Sequence, residues 1–186
     1  ITNVLMGKRL ITAVQVRNSI KELVESGVIT GTKVDAWKVR FQQEKETIAL
    51  RSKAEAGDAA AMFAMGSHYQ FGNHGFAQDD KLAFDWYKRA ADLDEPTALA
   101  ACGHFYVDGR GTEQDVVLGL VMLGQAAALG VEHTCYVLGA YHERGLYPFR
   151  RDAAMAAKWY RKMQSCSIQN CPQEGRDQAA TFLRNA

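Results

Sequence analysis

Histidine and cysteine side chains are the groups in this 186-residue chain that could support a metal site or a nucleophilic mechanism. Zinc sites draw on several such ligands at short spacings, and a catalytic cysteine needs a histidine base. The candidates are His68, His74, His104, His133, His142, Cys102, Cys135, Cys166 and Cys171. Neither Cys-x-x-Cys nor His-Glu-x-x-His occurs among them. The sequence therefore predicts no metal site, no cofactor and no catalytic residue.

The elements that position these groups belong to three consecutive segments with the same residues in the same order. Each segment opens on a glycine (Gly66, Gly103 or Gly139), and these glycines lie 37 and 36 residues apart. A second glycine, an aspartate and two large side chains then follow in each segment. The two large side chains are Trp86-Tyr87, Met122-Leu123 and Trp159-Tyr160. Such a period is typical of arrays of helical hairpins, which bind other macromolecules along one face.

Each repeat is predicted to form a first helix, a glycine-containing turn and a second helix. The first helices are expected over residues 58–71, 95–108 and 131–144, and the second over 79–93, 115–129 and 151–165. Asp79, Asp115 and Asp152 stand where an aspartate can accept a hydrogen bond from the first turn of the second helix. A last helix over 173–184 is expected to cap the array, with a polar outer side made of Gln173, Glu174, Arg176, Asp177, Gln178 and Arg184. The fold class is therefore all-α, a right-handed superhelix of helical hairpins with capping helices at both ends.

The first glycine of each repeat lies inside a helix, where glycine costs about 1 kcal/mol relative to alanine. The same cost at Gly66, Gly103 and Gly139 predicts that the second helix packs closely against the first at these points. Gly72, Gly109 and Gly145 are expected to end the first helices in the left-handed backbone conformation.

The order of these residues resembles the Sel1-like repeat family, a relative of the tetratricopeptide repeats. In the first repeat the matching residues are Ala61, Met65-Gly66, Tyr69, Gly72, Asp79, Ala83, Trp86-Tyr87, Lys88 and Ala90-Ala91. The resemblance covers about residues 54–164, and the middle repeat departs from it at Met122-Leu123. It implies a non-catalytic scaffold or adaptor that binds a protein or peptide partner.

The beginning of the chain carries a second resemblance. Residues 2–10 and 14–20 are similar to the closing strand and helix of a U-box, the E2-binding module of some ubiquitin ligases, with Thr2, Met6, Leu10, Val16, Arg17 and Ile20 at its packing positions. An independent capping helix over 13–26 is the alternative. The expected domains are residues 1–31 as this cap or partial U-box, 32–57 as a linking helix and 58–186 as the array. Because the chain starts at Ile1, we expect a fragment, a processed product or a partial chain, and E2 binding only with an upstream U-box portion.

The composition limits the classes of partner and the cellular compartment that we expect. The net charge of +1 gives no support for nucleic-acid binding, which would need a clustered basic surface, and the longest apolar runs are too short to span a membrane. No predicted hairpin contains a matched cysteine pair, so we expect free, buried thiols in a reducing compartment, either the cytoplasm or an organelle interior.

One face of the first helices is expected to bind the partner. Positions three before, one after and four after each interior glycine share a helical face, and we expect them to point away from the second helix; His133 lies one turn earlier. We call the following eight residues the first-helix strip: Phe63, Ser67, Gln70, His104, Val107, His133, Tyr136 and Glu143. Two alternatives to an adaptor stay open, namely the substrate-binding part of a U-box ligase and a structural subunit of a large assembly.

Overall fold

The computed structural model describes residues 4–6, 9–11, 18, 21–23, 25–27 and 31–185. The chain divides into two compact units, Ile1–Ile48 and Ala49–Ala186. The predicted helix over 13–26 lies largely outside the described residues, as do Thr2, Val16, Arg17 and Ile20 of the U-box resemblance. The boundaries expected at residues 31 and 57 remain predictions.

The first unit contains a short hairpin that the sequence did not predict. Strand β1 (Val4–Met6) pairs antiparallel with strand β2 (Arg9–Ile11), so that Val4 lies opposite Ile11. Met6 and Leu10 therefore lie in extended backbone. Helix α1 (Gly31–Glu55) follows, with its residues up to Ile48 in the first unit and those from Ala49 in the second.

The second unit consists of three helical hairpins and a closing helix. The helices are α2 (Ala59–Phe71) with α3 (Asp80–Ala91), α4 (Pro96–Asp108) with α5 (Val116–Ala128), α6 (Glu132–Arg144) with α7 (Ala153–Met163), and finally α8 (Gln173–Asn185). The all-α solenoid fold is thereby confirmed, and the bounds of the six hairpin helices agree with prediction to within two residues.

Local hydrogen bonds explain why the helices begin and end where they do. The carboxylates of Asp58, Asp79, Asp115 and Asp152 each accept a hydrogen bond from the backbone N–H three residues further on, at 2.9 Å. These bonds satisfy donors that have no partner inside the helix. Gly72, Gly109 and Gly145 end the first helices with φ angles of 62°, 68° and 66°, which confirms the predicted left-handed conformation.

The interior glycines allow each second helix to approach the first closely. A Cβ at Gly66 would lie 2.6 Å from the ring of Tyr87, and one at Gly103 would lie 2.8 Å from both the Gly119 carbonyl oxygen and Leu123. Gly139 meets the ring of Tyr160 in the same way. No side chain fits in these places, so the predicted reason for the glycines is confirmed.

Two polar contacts join elements that are far apart in the sequence. Arg110, in the turn of the second hairpin, donates to Asp80 of α3 over 2.7 Å and lies 4.7 Å above the Phe105 ring. Arg176 of α8 donates to both carboxylate oxygens of Glu132, at 3.0 and 2.8 Å. The expectation that Arg176 belongs to a polar outer side is therefore wrong, because it faces the third hairpin.

Candidate functional site

The eight residues of the first-helix strip lie on α2, α4 and α6, and each of them is partly buried. Seven of the eight lie three before, one after or four after an interior glycine, where the glycines bring the paired helices close together, and His133 lies one turn earlier. Partial burial leaves part of each side chain open to solvent. The strip is thus a row of firmly packed groups with accessible edges.

Several strip residues contact the second helix of their own hairpin. The Tyr87 hydroxyl donates to Gln70 over 2.7 Å, and the Tyr160 hydroxyl donates to Glu143 over 2.6 Å. The Phe63 ring lies 5.3 Å from the Tyr87 ring. The expectation that these positions point away from the second helix is therefore wrong. It fails because the large tyrosine side chain crosses the helix pair above the glycine and reaches the next turn of the first helix.

The second hairpin replaces this polar contact with an apolar one. It has Leu123 where the others have tyrosine, and Val107 where the others have Gln70 or Glu143. Val107 packs so close to Gly119 that a Cβ there would lie 2.7 Å from its methyl group. The sequence does contain this signal, since a polar residue accompanies each tyrosine and a valine accompanies the leucine.

Ser67 also contacts Tyr87. Burial raises the pKa of Tyr87 to about 12, and the hydrogen bond to Ser67 opposes that rise. The phenol is therefore neutral at physiological pH and acts as a hydrogen-bonding group.

Two imidazoles and a tyrosine form the middle of the strip. The His104 and His133 ring centroids lie 5.4 Å apart, and those of His133 and Tyr136 lie 6.1 Å apart. Within the described part of the chain, His104 Nε2 and His133 Nδ1 are buried and have no hydrogen-bond partner. Buried polar atoms in proteins rarely lack a hydrogen-bond partner.

Both imidazoles are uncharged near neutral pH. Burial lowers the pKa of His104 to about 4, assisted by the neighbouring His133 and opposed by Asp108. Burial also lowers the pKa of His133, against the influence of Glu132. A neutral imidazole has one ring nitrogen that donates and one that accepts, so this pair can serve either kind of partner atom.

The strip ends at a cleft that it shares with α8. This cleft of about 400 Å³ is lined by Glu143, Asp177, Gln178, Thr181, Phe182 and Asn185. Gln178 accepts a hydrogen bond from the Tyr136 hydroxyl at 2.8 Å and donates to Glu143 at 3.3 Å. The sequence analysis missed this contribution of α8, although Gly175, Ala179 and Phe182 already mark its inner side at helical spacing.

The cysteines include one close pair. All four are free and buried, but Cys135 Sγ and Cys166 Sγ lie 3.4 Å apart across the third hairpin. The expectation of free, buried thiols is thus confirmed, and the close approach arises because Cys166 lies just after α7, where the chain turns back towards the start of α6. Burial raises the pKa of both Cys102 and Cys135 to about 12, so their nucleophilic thiolate forms are scarce.

Neither a metal cluster nor a membrane span occurs in the described residues. In the described ranges, no group of three or more His, Cys, Asp or Glu side chains is placed to hold a metal ion. No helix in the same ranges has the length and apolar character needed to cross a membrane.

Comparison with known proteins adds independent evidence. The family model of the Sel1 repeat matches residues 59–95, 96–131 and 133–163, together more than half of the chain. A Sel1 repeat protein from Oxalobacter formigenes superposes with a TM-score of 0.62 at 30% identity, covering 76% of this chain and 99% of that one. The protective antigen c5321 of uropathogenic Escherichia coli, which displays the same repeat fold, gives a TM-score of 0.59 at 30% identity, over 64% of this chain and 25% of the antigen.

A curated plant protein is also similar over part of the array. The ERAD-associated E3 ubiquitin-protein ligase component HRD3A of Arabidopsis thaliana is 32% identical over 74 residues, or 40% of this chain. The chain spans 11% of the length of that relative.

Proposed function

Because the chain belongs to the Sel1 repeat family, we propose that it is a scaffold or adaptor that holds a peptide or helix of a partner protein along the first-helix strip. Repeats of this family generally mediate protein–protein interaction, and their fold is typically a non-catalytic interaction scaffold. The proposal adds the location of the contact and its chemistry.

The unsatisfied imidazole nitrogens carry this proposal. A buried polar atom without a hydrogen bond costs about 1–3 kcal/mol, and rotation of either imidazole ring towards an incoming N–H or C=O group would remove that cost. His104 Nε2 and His133 Nδ1 lie in the middle of a strip with aromatic rings on both sides. Peptide backbone supplies donors and acceptors in alternation, so an extended segment or an exposed helix end suits the pair.

The buried thiols support a non-catalytic role and a reducing compartment. Cys102 and Cys135 have pKa values raised to about 12 by burial, so neither is activated as a nucleophile. Free thiols as close as Cys135 and Cys166 persist where the surroundings are reducing. We place the protein in the cytoplasm or in another reducing compartment on this ground.

Replacement of His104 tests the proposed contact. The partner is first identified by pull-down with cross-linking, and its affinity is then measured for wild type and for His104→Leu. We expect at least about a fivefold loss of affinity, corresponding to about one hydrogen bond, with little change in the thermal midpoint at pH 7. The matched control is His74→Leu, which alters an exposed histidine outside the strip. Equal affinity for wild type and His104→Leu would place the contact elsewhere.

A second candidate function follows from the plant relative. HRD3A is by name a component of a ubiquitin ligase, which supports a role for this chain in holding substrates for such an enzyme. In this reading the array is the substrate-binding part of a U-box ligase, and E2 recruitment depends on a segment preceding residue 1. Co-precipitation of the natural full-length protein with E2 enzymes and ubiquitylated substrates tests this role. Absence of both from the precipitate would leave the adaptor function alone.

A further inference from the structure

The outward side of α5 is apolar where the equivalent helices of the other hairpins are charged. Val117 and Val121 are 50% and 53% exposed, and Ala128 is also exposed. The equivalent residues are Lys81, Asp85 and Lys88 in α3 with Asp92 just after it, and Ala154, Lys158 and Arg161 in α7 with Ser165 just after it. Helix α5 contains no charged residue. Its apolar outer side is thus a property of this helix and not of the repeat.

Gly124, on the same side of α5, has no packing reason within the described part of the chain. A Cβ added there would meet nothing within 4 Å, whereas Gly66, Gly103 and Gly139 would collide with the paired helix. Glycine inside a helix lowers its stability, and its bare backbone is useful where another backbone comes close. Gly124 therefore indicates close approach from outside the molecule. We call Val117, Val121, Gly124 and Ala128 the outer stripe of α5.

We propose that the outer stripe of α5 packs antiparallel against the same stripe of a second copy of this chain. The stripe residues are four, three and four positions apart, which is the spacing of a helix–helix seam. Large side chains occupy its first half and small ones its second half. In antiparallel pairing Val117 meets Ala128 of the second copy and Val121 meets Gly124 of the second copy, so each valine fills a gap. A parallel pair would oppose valine to valine and leave glycine facing glycine.

The charges of α3 favour the same arrangement. Its outer residues alternate in sign as Lys81, Asp85, Lys88 and Asp92, and they form ion pairs within the helix at 2.7 and 3.2 Å. Second helices of successive repeats run in one direction, so the same two-fold axis places Lys81 opposite Asp92 and Asp85 opposite Lys88 of the second copy. Opposite charges therefore face each other across the dimer.

The third hairpin limits the extent of the contact. The same pairing would oppose Lys158 of α7 to Arg161 of the second copy, so the two molecules must diverge at that end. An interface centred on one 13-residue helix and part of its neighbour falls below the roughly 1,200 Å² of small specific complexes. The dimer is therefore expected to be weak and reversible.

Sedimentation velocity over a wide range of protein concentration tests the dimer. Wild type should shift from monomer to dimer, and Gly124→Leu should raise the dimer Kd at least about tenfold by closing the gap for Val121. This variant creates no internal collision, so its thermal midpoint should not fall. Ala180→Leu, at an exposed position of α8, is the matched control and should leave the Kd unchanged. A monomer at every concentration, or the same Kd for Gly124→Leu and wild type, overturns the proposal.

Cysteine cross-linking tests the direction of pairing. A mixture of Val117→Cys and Ala128→Cys chains should give a disulfide-linked dimer under mild oxidation, whereas Val117→Cys alone should not. Cross-linking by Val117→Cys alone would indicate parallel helices and overturn the antiparallel arrangement. The dimer is independent of partner binding by the first-helix strip, so His104→Leu should not change the dimer Kd.

Discussion

His104 is held as a neutral imidazole because it is partly buried and lies beside a second imidazole, that of His133 in the third hairpin. Burial lowers its pKa to about 4, well below the ordinary value of 6.5. The unfolded chain therefore binds a proton at a higher pH than the folded chain does. The contribution of His104 to stability is complete above pH 6.5 and is lost as the pH falls towards 4.

This shift predicts how stability depends on pH. At about 1.4 kcal/mol per pKa unit, His104 destabilises the fold by up to about 3 kcal/mol between pH 6.5 and pH 4. We expect His104→Leu to lose part of this dependence, because leucine has no proton to bind. Chemical denaturation of both proteins at several pH values measures the difference. Parallel curves for the two would contradict the assigned burial, and His74→Leu provides the reference slope.

At the scale of the helix pair, a glycine marks the point where two backbones meet. Gly103 faces the Gly119 carbonyl oxygen and Leu123, each 2.8 Å from the place where a Cβ would be. The reciprocal contact is formed by Gly119, which packs against Val107 and the Gly103 carbonyl oxygen. A side chain at either glycine would therefore force the two helices apart.

Gly103→Leu is expected to destabilise the second hairpin strongly. Overpacking of this kind typically costs about 1–3 kcal/mol or more, and here backbone atoms must move as well. Gly124→Leu is the matched control, since it introduces the same side chain into the paired helix where space is open. Thermal and urea unfolding of the three proteins measure the effect. A Gly103→Leu midpoint at or above that of wild type would show that α4 and α5 do not approach as described.

Periodic features of these elements could be predicted, and solitary ones could not. The aspartate caps and terminal glycines recur in three copies, so they located six helices to within two residues. Cys135 and Cys166 approach each other once, as do Glu132 and Arg176, and each contact joins segments more than 30 residues apart. A single long-range contact leaves no repeated pattern in the sequence. The contacts of the strip with Tyr87 and Tyr160 do recur in two hairpins, but they were missed because the strip was expected to point away from the second helix.

At the scale of the whole array, each hairpin depends on its neighbours, and the closing helix covers the last one. Arg176 binds Glu132, whose side chain is 8% exposed. Burial alone would raise the pKa of Glu132, but the hydrogen bonds from Arg176 and the Cys171 N–H outweigh it and lower the pKa. The buried carboxylate is thus charged and relies on α8 for its partner.

Arg176→Ala is expected to loosen the end of the array first. Removal of Arg176 leaves the Glu132 carboxylate, whose side chain is 8% exposed, without its charged partner, and solvent around the 37% exposed arginine moderates the loss of stability. In a repeat array such a loss spreads only through adjacent units. Hydrogen exchange should therefore show lost protection in α8 and the third hairpin, with α2 and α3 unchanged, and Arg176→Lys should retain part of it. Uniform loss over the array would indicate a single cooperative unit instead.

Tyr87 and Tyr160 occupy a position that holds Leu123 in the second hairpin, and this difference limits which helices can be combined in one hairpin. A tyrosine placed over Val107 would have no acceptor for its hydroxyl, and a leucine placed over Gln70 or Glu143 would leave a polar group without its donor. Crossovers during gene duplication, or in chimeras made in the laboratory, are therefore tolerated in the connections between hairpins and penalised inside them. Both helices of a hairpin form the smallest portion of this protein that can be exchanged as a module.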